Sequence, residues 1–204
     1  MIDIHRFADQ IQAYEQYPPE TGKVLLYGSS FFGFWGYERA KKQCAEATNG
    51  KLEVVNHGFG GATVTELLYY YHRLVLPCQP SAMVLRTGHN DVWECSPEAA
   101  ITLTDTLINW IQNDFPQIPL IFLKAFDFPS ATAEHLEKLH SYNRLLEQLA
   151  AERTNLYTVD LHPFLYAGAG EFRNVFREDG LHLTDIGYEE MAKYLAPILQ
   201  KILN

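Results

Sequence analysis

The chain has 204 residues, 47% hydrophobic and 20% charged, the proportions of a soluble globular domain long enough to bury a sizeable core. Its formal net charge of -9 and its lack of any basic run argue against a nucleic-acid partner held through its phosphate backbone. No apolar run approaches the length of a membrane span, and "MIDIHRFADQ" lacks the apolar core of a secretion signal, so a cytoplasmic protein without a membrane partner is expected.

In chain order, Ile2–Tyr14 reads as a leading helix, closed by Pro18–Pro19. Five short β-rich runs follow at Val24–Tyr27, Leu52–Asn56, Ala82–Arg86, Leu120–Ala125 and Leu156–Val159. Several are almost continuously apolar, as strands of a parallel sheet covered on both faces are. Between and after them come helical segments. Val64–Leu76 carries Leu67, Leu68, Tyr71, Leu74 and Val75 at helical spacing, and Pro97–Asn113 has Ser96 placed as an N-cap. Thr132–Arg153 and Asp185–Ile202 are long and amphipathic, whereas "FLYAGAGEF" reads as a glycine-containing loop. Cys44, Cys78 and Cys95 have no C-x-x-C spacing and read as reduced structural thiols. Strand and helix alternate throughout, with no repeat and no linker. The pattern predicts an α/β fold over residues 1–204: one domain, a three-layer α/β/α sandwich with right-handed crossovers around a five-stranded parallel sheet.

Ligands of open parallel sheets bind beyond the carboxyl ends of the strands. "GSS" follows the first run, "NHGFGGAT" the second, "GHND" the third, and "REDGLHLTD" stands directly before the last helix. Alone, each has an ordinary structural use as a turn, a helix cap or a tight strand–helix connection. Together they bring the parts of an acyl-transfer site to one edge. A serine hydroxyl needs a base to take its proton, and a histidine base needs a carboxylate to fix its tautomer. The developing oxyanion needs N–H donors aimed at it. Ser30, His182, Asp179, Gly61 and Asn90 fill these roles. Gly180 permits a turn that sets Asp179 and His182 on one side of their loop, and Thr184 is placed to cap the helix behind.

At "YGSSFF", "NHGFGG", "GHND" and "DGLHLT" the sequence resembles the SGNH hydrolases, also called the GDSL lipase/acylhydrolase family, over nearly the whole chain. The resemblance implies a flavodoxin-like sheet and a Ser–His–Asp esterase. Carried over by position, Ser30 is the nucleophile and Asp179 and His182 complete the triad. The oxyanion donors are the Ser30 and Gly61 backbone N–H groups and the Asn90 side chain. One departure stands out: Ser29 occupies the place of the usual aspartate in the first block. No G-x-S-x-G elbow of the α/β-hydrolase type is present.

The expected substrate is a small acyl ester, cleaved without cofactor or metal; carbohydrate acetyl esters, lysophospholipids and thioesters all fit that class. Of the aromatics behind the serines, Phe31, Phe32, Phe34 and Trp35, at least half are expected in the core and the rest at the substrate. His72, His135 and His140 read as surface or structural residues, and His162 lies in another loop, so no zinc ligand set is coherent. Two other classes compete. A non-catalytic ligand binder on the same scaffold would not need the full set of Ser30, Asn90, Asp179 and His182. A flavin or nucleotide binder lacks the expected G-x-G-x-x-G or P-loop.

Overall fold

The computed structural model describes residues 3–168 and 170–204. In chain order the elements are α1 (Ala8–Glu15), β1 (Val24–Gly28), α2 (Ser30–Trp35), α3 (Tyr37–Ala47), β2 (Val54–Gly58), α4 (Val64–Leu74), β3 (Ala82–Arg86), α5 (Asp91–Glu94), α6 (Pro97–Asp114), β4 (Leu120–Leu123), α7 (Ala133–Ala151), β5 (Leu156–Val159), α8 (His162–Leu165), β6 (Tyr166–Gly168), β7 (Glu171–Phe172) and α9 (Asp185–Leu203). β1 to β5 form a parallel sheet in the order β2-β1-β3-β4-β5, the doubly wound order in which the chain reverses direction beside β1. α3 and α9 pack together over one face, while α4, α6 and α7 line up over the other.

Every residue of β1, β2 and β3 is buried, which explains why these strands are apolar along their whole length rather than at alternate positions. Leu26 and Val84 face the α3–α9 layer, where they meet Trp35, Cys44, Leu195 and Leu199. Tyr27, next along β1, points the other way and donates its hydroxyl to the Leu67 carbonyl of α4 at 2.6 Å.

The expected strands and long helices are present, with shifts that have local causes. α1 is shorter than Ile2–Tyr14: residues 4–7 form turns, and Ile2 lies outside the described residues. β2 begins at Val54 rather than Leu52, because Val54 is the residue that pairs with Val24 at the start of β1. β4 ends before Ala125, whose N–H and C=O are taken by the side chain of Asn143 instead of a neighbouring strand. α4 stops at Leu74, and Leu76–Cys78 tightens into a 3₁₀ turn around Pro77. "FLYAGAGEF" is not simply a loop, since β6 and β7 pair there as a small antiparallel hairpin. Ser96 and Thr184 cap α6 and α9, accepting from the N–H groups of Ala99 and Gly187.

Candidate active site

Gly28 sits opposite both Gly58 and Arg86 in the parallel register, so the chain leaves β1, β2 and β3 at one level of the sheet edge. Ser30 lies two residues beyond that level, Gly61 three and Asn90 four. The fourth segment arrives from the far end of the chain. Phe176 and Leu183 bridge as an antiparallel pair, and the Arg177 N–H donates to the His182 carbonyl at 2.7 Å. The loop between them turns at Gly180, whose φ of +64° lies in the left-handed region that glycine accepts without strain.

Across 152 positions of sequence, Ser30 Oγ stands 3.0 Å from His182 Nε2. His182 Nδ1 is 2.8 Å from Asp179 Oδ2, while Asp179 Oδ1 accepts the backbone N–H groups of Leu181 and His182, each at 2.9 Å. Burial pushes the Asp179 carboxyl up, but the His182 ring and these two N–H groups outweigh it and hold the pKa below the ordinary aspartate value. An ionised Asp179 accepts a proton-bearing Nδ1, which leaves Nε2 free to accept from Ser30. Ser30 is the serine whose hydroxyl meets His182. Ser29 serves as backbone, its carbonyl accepting the N–H groups of Phe32 and Gly33 at 3.1 Å.

Among the described residues, no protein acceptor takes the N–H of Ser30 or of Gly61. The Gly61 loop is tied down from both sides. Asn90 Nδ2 donates to the Ala62 carbonyl at 2.9 Å, and Arg6 spans the Gly61 carbonyl and the fully buried Glu66 carboxylate. Glu66 in turn accepts the Thr63 N–H at 2.8 Å, completing a capping box at the start of α4. Asp91 ties the third segment to the second, accepting from the N–H groups of Gly88 and Val64. The fold thus brings the predicted His182 into hydrogen-bond contact with both Ser30 and Asp179 and sets Gly61 and Asn90 on adjoining, cross-linked loops.

Several positioning residues were not expected from the sequence. Asn56, 1% exposed, donates to the carbonyls of Phe32 and Gly36 and accepts the Gly58 N–H, pinning α2 to β2. The two elements lie so close at Gly58 that a Cβ there would be 2.3 Å from Phe32 Cβ. Arg39 binds the carbonyls of Phe34 and Trp35 and the Asp185 carboxylate, and Tyr188 donates to the Phe31 carbonyl at 2.7 Å. The serine helix and the histidine loop are thus fastened together at the start of α9. Asn56→Ala strands buried partners and is expected to cost roughly 1–3 kcal/mol, read as a lowered urea midpoint with an unchanged slope.

The aromatic run divides by position. Phe32 and Trp35 are in the core, and Trp35 stacks on Tyr188. Phe31 is buried but walls a small cleft beside Ser30 and His182. Phe34, 42% exposed, lies against the His182 ring with centroids 4.3 Å apart. His72 and His140 are on the surface, while His135 is buried behind His89.

A parallel five-stranded sandwich with serine, glycine, asparagine and histidine delivered by four separate loops to one edge defines a class of hydrolase scaffold. The sequence matches the model of the GDSL-like Lipase/Acylhydrolase family over residues 26–190, and the chain belongs to that family. Among solved structures, a Streptococcus pneumonia protein superposes with a TM-score of 0.77 at 18% identity, covering 97% of this chain and 92% of that one. A GDSL-like lipase from Bacteroides thetaiotaomicron gives 0.69 at 20% identity, with coverage of 98% and 97%. A carbohydrate esterase family 3 protein from Talaromyces cellulolyticus gives 0.69 at 16%, with coverage of 90% and 98%. At these identities the likeness is one of fold. No curated protein matches the sequence. Among the described residues, no helix is long and apolar enough to cross a membrane.

Proposed function

We propose that this protein is a serine esterase that hydrolyses small acyl esters through Ser30, His182 and Asp179. The observation that carries the reading is the unbroken line from Ser30 Oγ through both nitrogens of His182 to Asp179, with steps of 3.0 and 2.8 Å. Ser30 Oγ attacks the acyl carbon as its proton passes to His182 Nε2, and Asp179 stabilises the imidazolium. The carbonyl oxygen takes up the negative charge facing the N–H groups of Ser30 and Gly61 and the Asn90 amide. Collapse breaks the ester bond, and His182 returns the proton to the departing alcohol. Water, deprotonated by His182, then attacks the acyl-enzyme and releases the carboxylic acid and free Ser30.

The cleft at the nucleophile favours short acyl groups. It encloses about 10 Å³, close to what a single water needs, between Phe31, Phe126, Leu181 and His182. Acetyl and butyryl p-nitrophenyl esters are therefore expected to be cleaved far better than esters of twelve carbons. In a long groove each fitted methylene would add up to about 0.8 kcal/mol of binding, so kcat/KM rising steadily along the series would refute the short-pocket reading. No hydrolysis of the acetyl ester at all would refute the esterase reading itself.

A further inference from the structure

Arg86, the last residue of β3, forms part of the floor of this cleft together with His89. It is 2% exposed, and among the described residues no carboxylate is paired with it. Its guanidinium lies over the rings of Phe31 and Phe126, at 5.4 and 4.8 Å from their centroids, and among the described residues its one hydrogen bond is a long 3.4 Å contact from Nη1 to the Thr87 carbonyl. Among the described residues Nε has no partner, nor has either ring nitrogen of the 7% exposed His89. Burial pulls the Arg86 pKa down to about 10, which still leaves it charged at neutral pH. His89 is held well below the histidine range by burial and then by Arg86, His135 and His182, so it is neutral, with one N–H to donate. A buried cation with spare donors is costly to maintain without an anion. The two aromatic faces offset part of that cost but leave the in-plane donors unused.

We propose that Arg86 and His89 form an anion site beside the nucleophile, which selects esters carrying a carboxylate close to the scissile bond. The inference rests on the esterase reading and names the substrate class within it. A planar guanidinium suits a carboxylate, and His89, its two ring nitrogens buried without a partner among the described residues, lines the same cleft. Arg86 and Ser30 line the same small cleft, so an anion held at Arg86 lies a short carbon chain from the ester. That is the geometry of a short dicarboxylate hemiester, with the anion on the acyl side, or of an O-acylated 2-hydroxy acid, with the anion on the alcohol side.

Two matched pairs of esters distinguish these sources: ethyl hydrogen malonate against ethyl butyrate, and O-acetylglycolate against propyl acetate. In at least one pair, kcat/KM is expected to favour the anionic ester by roughly tenfold or more, the size of one desolvated charge contact. Arg86→Met, which removes the charge but keeps a long apolar side chain, is expected to abolish that preference, and Arg86→Lys to retain part of it. Malonate is expected to raise the melting temperature of the wild-type protein and of Ser30→Ala, but not of Arg86→Met. Equal use of both members in each pair, or Arg86 variants that slow all four esters by one factor, would show that the arginine only packs between its rings. Should none of the esters be hydrolysed, it is the esterase reading that fails. Malonate binding then decides the anion site alone, and absence of a malonate shift in the wild-type protein overturns it.

Discussion

Ser30→Ala is expected to lower kcat by roughly 10⁴- to 10⁶-fold while leaving the folded protein intact. The hydroxyl is half-buried, and its hydrogen bond to His182 is the contact the substitution removes; nothing in the core depends on it. His182→Ala is expected to cost a similar factor, and the double variant scarcely more than either, because a nucleophile and its base act as one unit. Additive losses would mean that the two residues serve separate steps. A serine-directed phosphonate should modify Ser30, since Ser29 has its carbonyl in the first turn of α2 and it is the Ser30 hydroxyl that is hydrogen-bonded to His182. An adduct mapped by mass spectrometry to Ser29 would reverse the assignment of the nucleophile.

The sheet was legible because β1 to β4 are buried along their whole length and therefore read as apolar runs. The juxtaposition of Asp179 and His182 was legible too, for three-residue spacing around Gly180 leaves few ways to arrange a tight loop. The region between β1 and β2 was not. α2 is six residues of serine, aromatics and glycine, with no room for a helical period to show, and α3 begins immediately after Gly36. What secures α2 is tertiary: Asn56 at its carbonyls, the bare surface of Gly58 beneath it, and Tyr188 from the last helix. The pairing of Arg6 with Glu66, 60 positions apart, is invisible for the same reason, although S/T-x-x-E at Thr63–Glu66 did offer a local signal of a helix start. Arg86 could not be singled out, because an arginine ending a strand is ordinary until its burial without a carboxylate is seen.

Asn90→Ala is expected to lower kcat by roughly 10²- to 10³-fold with a smaller change in KM, the pattern of a donor whose interaction strengthens in the transition state. The amide carries two N–H bonds. One goes to the Ala62 carbonyl at 2.9 Å, and this contact orients the other. The same contact braces the Gly61 loop, so under the proposed mechanism the alanine variant removes one oxyanion donor and loosens the support of a second. Asn90→Asp separates these effects. Aspartate has nearly the same shape but cannot donate, and its charge would face both the Ala62 carbonyl and the oxyanion. It is therefore expected to be slower than the alanine variant, even if its melting temperature is similar. Were Asn90 only a brace for the loop, loss of turnover would track loss of stability across the two variants. An Asn90→Ala protein that melts earlier yet keeps its kcat would take Asn90 out of the oxyanion site and leave that task to the Ser30 and Gly61 N–H groups.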